Sequence, residues 1–287
     1  MNDEGQDKGG SERSLNHENI VSFLDRLSAG NGKNVLTKIQ ESSEDVETIL
    51  RDLANGPTFE SLFKLVRTQT HSMDWVAKAD FAYVGLPPEC EALGFRSGFE
   101  TQIRPRLGMR SDGFEVIFKA LDACERPTII ETGCLRVPQN WDGDGQSTFQ
   151  FDWYARERHG SVITIDINSE SIDSARRACS SVTSTVLNDS VATLNALGAQ
   201  ARKPVSLIYL DSFDLDLSDP MPSAIHHSME VMAARRLIGP GTILCIDDFN
   251  VPPLGPGGKG LIVDRFMESV NAEVLYVGYQ KIWRVQS

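Results

Sequence analysis

After Pro127 the chain alternates between short apolar, β-branched runs and segments of helical periodicity. The runs are residues 128–131 (TIIE), 162–167 (VITIDI), 184–187 (STVL), 205–210 (VSLIYL) and 242–246 (TILCI). Between them, helical spacing is read at 147–158, 169–179, 191–197 and 223–237. Consecutive apolar positions suit strands buried on both faces, and strands separated by helices pair in parallel because each return needs a crossover. The expected fold is therefore α/β, a mostly parallel Rossmann-like sheet with helices on both faces. The end of the chain departs from this rhythm. EVLYV (273–277) and QKIWRV (280–285) are joined by Gly278 and Tyr279 alone, a connection short enough to demand an antiparallel hairpin.

The region before this alternation reads differently. Residues 1–17 are polar and without periodicity, which predicts a disordered tail. Residues 18–110 are expected to form a helical extension and lid, and 111–287 the ligand-binding domain. Ser111-Asp112 reads as the cap of an amphipathic helix running through Phe114, Ile117 and Leu121. The net charge of -12 excludes a general binder of phosphate backbones, which needs a basic surface. No apolar stretch approaches the length of a spanning helix, and the five cysteines form no CxxC pair. These features predict a cytoplasmic protein with no nucleic-acid or membrane partner.

Ligands of open parallel sheets sit at the carboxyl ends of the strands, where strand order reverses. The first such end carries Glu131 and Gly133, followed by an acidic insertion and then Gly145 and Ser147. Glycine lets backbone approach a ligand, and a following helix start offers free N–H groups to a carboxylate. The second strand ends at Asp166, placed to accept ribose hydroxyls if Asn168 or Ser169 caps the next helix. The third is followed by Asp189 and Ser190, which could meet an adenine edge, cap a helix, or both. The fourth ends at Asp211 and the fifth at Asp247-Asp248. Three carboxylates gathered behind apolar runs call for a cation, and an all-oxygen set suits magnesium.

The series IIETG, GDGQST, TIDIN, LNDS, LIYLD, GPGTILCIDDF resembles the class I S-adenosylmethionine-dependent methyltransferases. Within them it is most similar to the metal-dependent macrocin O-methyltransferase kind, and more distantly to catechol O-methyltransferase. The resemblance covers about residues 113–284, including the closing helix and hairpin. It implies that Glu131 and Gly133 line the methionine side of the cofactor and that Gly145 and Ser147 hold its carboxylate. It further implies Asp166 on the ribose, Asp189 and Ser190 beside the adenine, and Asp211, Asp247 and Asp248 as metal ligands, with Asp211 also bordering the cofactor. The insertion at 134–142 departs from the family pattern; Trp141 within it could shape the adenosine or acceptor side.

The general base is open among His226, His227 and Lys259. A histidine titrates near neutrality, but of two adjacent histidines on a helix one must face away from any given partner. Lys259, in PGGKG, could act as a base or bind an anionic acceptor, although solvent is the common place for a loop lysine. His71, Asp74 and Trp75 could descend over the acceptor. The expected activity is magnesium-dependent O-methylation of a sugar or polyhydroxylated small molecule. The N-terminal helices would pair subunits, cover the acceptor, or both. The rival readings are a metal-independent methyltransferase, a NAD-dependent oxidoreductase and a non-catalytic binding protein. The missing GxGxxG and the closing hairpin count against the oxidoreductase.

Overall fold

A computed structural model describes residues 92–286. The N-terminal tail, the helices read up to residue 91 and the trio His71, Asp74 and Trp75 lie outside the described residues. The five apolar runs form parallel strands: β1 (Thr128–Thr132), β2 (Ser161–Asp166), β3 (Thr183–Leu187), β4 (Leu207–Leu210) and β5 (Ile243–Ile246). After a two-residue ribbon, β6 (Asn250–Val251) with β7 (Gly255–Pro256), the hairpin β8 (Glu273–Val277) and β9 (Lys281–Arg284) closes the chain. The sheet order is β3-β2-β1-β4-β5-β9-β8, with β9 antiparallel to both neighbours. This is the Rossmann-like, mostly parallel sheet expected, and order reverses between β1 and β4.

Pleating divides the strand residues between two cores. Ile130, Ile208, Leu244 and Ile246 face α4 (Ser190–Gln200), α5 (Met221–Ala233) and α6 (Leu261–Ser269). Ile129, Leu207, Tyr209 and Cys245 face α1 (Ser111–Leu121) and α2 (Ser147–Glu157), and α3 (Ser169–Ala178) packs beside α2 along β2 and β3. Asn168 caps α3 by accepting from the amides of Glu170 and Ser171, and Asp189 caps α4 by accepting from Ala192. The cap read at Ser111-Asp112 is not formed. A 3-10 turn, Gly108–Arg110, runs directly into α1, so Ser111 is already helical and its preceding amides are partly satisfied.

The boundary expected at residue 110 falls inside packed structure. Phe95, Phe99, Ile103 and Leu107 are buried in the same core as α1 and α2. Phe95 meets Phe118, Trp153 and Tyr154 edge-on at centroid distances of 4.5, 5.4 and 5.1 Å. Such pairs add about 0.5–1.5 kcal/mol each beyond the area they bury. No described helix is long and apolar enough to cross a membrane.

At the reversal point the ends of β1 and β4 almost touch. Gly133 has φ +77°, and a Cβ there would lie 2.4 Å from the backbone oxygen of Asp211. A side chain would face both left-handed strain and a backbone overlap. Gly133→Ala should therefore destabilise the protein by about 2–4 kcal/mol in urea unfolding. Gly241→Ala, also at positive φ but with nothing within 4 Å, should cost only about 1–2 kcal/mol. Equal losses would show that the close approach to Asp211 is not tight.

Candidate active site

The cofactor-type residues surround the crevice between β1 and β4. Glu131 is fully buried, and its Oε2 accepts from Thr148 Oγ1 at 2.7 Å and Thr164 Oγ1 at 2.6 Å. Burial, only partly offset by these hydroxyls, pushes its pKa up to about 7. Its Oε1 is buried with no hydrogen-bond partner among the described residues. Asp166 is pinned by two amides, Cys134 N at 3.0 Å and Asn168 N at 2.8 Å, and burial raises its pKa despite them. Gly145, at φ +66°, ends the turn Trp141–Asp144, and Ser147 opens α2, bringing that helix's free amides to the crevice. Asp189 is engaged as a cap, while Ser190 Oγ is buried 3.2 Å from His226 Nε2.

The insertion at 134–142 is tied down rather than looped out. The buried side chain of Gln146 accepts from Gln139 N and donates to Val137 O, at 3.2 and 2.9 Å. Arg136 reaches Asp214 at 2.6 Å and Asp144 at 3.5 Å, bridging the loops after β1 and β4. Trp141 is buried against Phe149, so it fills the core instead of facing a ligand.

Asp211, Asp247 and Asp248 converge as read from the sequence: one oxygen of each lies within 4.8 Å of the others. Two cations from elsewhere in the chain meet them. Arg110 Nε donates to Asp247 Oδ2 at 2.8 Å, and its Nη2 lies 3.3 Å from Asp248 Oδ1. The same guanidinium donates to Asp142 O at 2.9 Å and stacks 4.5 Å over Tyr279. Lys259 Nζ lies 2.6 Å from Asp211 Oδ1, 3.1 Å from Asp248 Oδ2 and 3.2 Å from Ser212 O. Lys259 is 1% exposed, which corrects the expectation of a solvated loop lysine. Burial opposes its charge, but Asp211, Asp248 and Asp247 outweigh that and hold its proton above the usual range. Such a lysine makes a poor base.

Three carboxylates facing two cations leave an excess negative charge. It is visible in Asp211 and Asp247, whose pKa values burial and mutual repulsion raise, and in Asp247 Oδ1, buried without a partner. Asp248 is held at about 2: burial opposes this, and Lys259, Tyr279 and Arg110 prevail. The donor set therefore fits a divalent cation.

His226 and His227 do not diverge as adjacent helical residues were expected to. Both are buried, and both approach Glu230, at 3.4 and 3.9 Å. His227 Nδ1 is 2.8 Å from Ser223 O, and burial holds this ring neutral with a pKa of about 4. Glu230 in turn accepts from Ser212 Oγ at 2.7 Å. The pair thus belongs to a polar network inside α5, and neither ring is open to a bound acceptor. Sequence reasoning missed Arg110, Gln146 and Tyr279. Tyr279, a large aromatic residue in a tight turn where small polar residues are usual, was the one signal available.

No family model and no curated protein matches the sequence. Among solved structures the chain is similar to MycE, a methyltransferase of the mycinamycin biosynthetic pathway in complex with Mg and SAH, with 12% identity and a TM-score of 0.45. That alignment covers 69% of this chain and 55% of MycE, so this chain spans about half of MycE's length. It is also similar to the O-methyltransferase TomG from Streptomyces achromogenes, involved in tomaymycin synthesis, in complex with SAM (14% identity, TM-score 0.42, 77% and 96% of the two chains). A third likeness is the Podospora anserina methyltransferase PaMTH1, bound to SAH (16% identity, TM-score 0.43, 78% and 96%). Identities this low assign no residue role to this chain.

Proposed function

We propose that this chain is an S-adenosylmethionine-dependent O-methyltransferase that uses magnesium and acts on a hydroxyl of a sugar or other polyhydroxylated small molecule. One observation carries the reading: the glycine-opened crevice at the reversal point and the carboxylate cluster share a wall, because Gly133 lies against the backbone of Asp211. A cofactor in the crevice would border the place where a cation-bound hydroxyl would be held.

S-adenosylmethionine, when bound, supplies a methyl group on a positively charged sulfur. The residues of this chain would do the rest. The free amides at the start of α2, near Gly145 and Ser147, would receive the amino-acid carboxylate. Glu131, with its unpartnered Oε1, lies on the same side. Asp166 would accept from the ribose hydroxyls, each oxygen having a lone pair beyond its amide bond. Ile167 and Leu187, 49% and 52% exposed near the ends of β2 and β3, offer apolar surface to a purine. Magnesium held by Asp211, Asp247 and Asp248 would supply Lewis-acid chemistry, lowering the pKa of an acceptor hydroxyl. A metal-independent methyltransferase is the second reading, favoured by the two side-chain cations already on the cluster.

Calorimetric titration with S-adenosylhomocysteine should show binding to the wild type and a loss of at least tenfold in Asp166→Ala, since a hydrogen bond to a charged group contributes about 1.5–3 kcal/mol. A folded wild type that does not bind would overturn the methyltransferase reading. Once a hydroxylated acceptor turns over, chelation should abolish activity and added magnesium should restore it. An undiminished rate in chelator would establish the metal-independent reading instead.

A further inference from the structure

Lys259 makes contacts that a solvated lysine does not. Its ammonium has three protons, and three oxygens surround it at 2.6, 3.1 and 3.2 Å: Asp211 Oδ1, Asp248 Oδ2 and Ser212 O. Two of these belong to the carboxylates that make up the candidate cation site. The loop that delivers the lysine is pressed against one of those residues. Gly258 has φ +42°, and a Cβ there would lie 2.0 Å from Asp248 O; the amide of Lys259 donates to the same oxygen at 3.2 Å. Arg110 behaves otherwise. It takes Asp247 Oδ2 at 2.8 Å and approaches Asp248 Oδ1 only at 3.3 Å, and Asp247 Oδ1 is buried without a partner among the described residues.

We infer that Lys259 is a tethered counter-ion of the carboxylate cluster, and that a divalent cation enters only by displacing its ammonium from Asp211 and Asp248. The inference rests on the cluster being the divalent-cation site proposed above. Magnesium binds carboxylate oxygens at about 2.1 Å. An ion sharing Asp211 Oδ1 with an ammonium 2.6 Å away would stand within about 5 Å of that positive charge in a poorly solvated pocket, where repulsion is strong. Lysine suits this part, being a flexible point charge that can withdraw, unlike the guanidinium fork of Arg110. The metal-free protein is then a closed state, its carboxylates spanned by the lysine. The metal-loaded state has Lys259 released, free to meet an anionic group or to fold back toward Ser212.

Apo wild type, Lys259→Met and Lys259→Gln are titrated with Mg2+ and with Mn2+ by calorimetry, and each sample is also titrated with S-adenosylhomocysteine. Both variants should bind the metal ions at least tenfold more tightly than the wild type. Equal metal affinity in all three proteins would overturn the displacement inference and leave the metal site standing. No metal binding by variants that still bind S-adenosylhomocysteine would overturn the inference and the metal reading together, leaving the cofactor reading intact. Should a variant unfold without metal, its thermal melts in rising Mg2+ decide: an increase in Tm larger than that of the wild type supports displacement, and no increase overturns it.

Discussion

A buried ionic cluster joins parts of this protein that are far apart in sequence. Arg110 precedes the first packed helix, Asp211 ends β4, Asp247 and Asp248 end β5, and Lys259 sits in the loop before α6. Removing ions from water costs several kcal/mol each, and only close pairing and further hydrogen bonds offset it. Each member therefore depends on the others: taking away one partner of such a pair typically costs about 3–5 kcal/mol, because the remaining charge is left buried. Through Arg110 the cluster ties the end of the segment 95–110 to the strand ends, while the aromatic core packs the rest of it. A hydrophobic replacement of similar shape could match its stability, so stability alone does not require these charges.

The sheet creates the conditions for that cluster. Parallel strands point their carboxyl ends the same way, so residues following β1, β2, β4 and β5 meet along one edge. The β4–β5 register pairs Leu210 with Ile246, which brings Asp211 level with Asp247. Gly133 lets the first loop cross against Asp211, and Gly258 lets the last one press on Asp248. A left-handed backbone at each of these two points turns a row of strand ends into a pocket with walls on both sides.

Much of this is legible in the sequence. The strands, the helices between them and the three aspartates followed from apolar periodicity and from the rule that ligands gather at strand ends. Local signals sufficed there because each strand announces its own end. Arg110 was not legible, because nothing near it indicates a partner 137 residues away. Lys259 is legible as a candidate base or anion binder but not as a buried residue, since glycine-rich loops are usually wet; its burial depends on packing against α5, which no local pattern reports. The two histidines look alike in sequence, and only the buried Glu230 reveals why both turn inward. Ser111 has the composition of a cap but lies one residue inside a helix that a preceding 3-10 turn had already started.

The charges are also graded across the pocket. On the hairpin side, Arg110 and Lys259 face the carboxylates and Asp248 is held well below the usual range. On the β1–β2 side no side-chain cation among the described residues touches Glu131, which is bonded to hydroxyls, and Asp166 is bonded to amides; burial raises both pKa values. Burial without a cationic partner penalises the charged form of a carboxyl group, and an approaching positive charge relieves that penalty. The sulfonium of the proposed cofactor would supply such a charge on the β1–β2 side, and the proposed acceptor and its cation would take the lysine-held side.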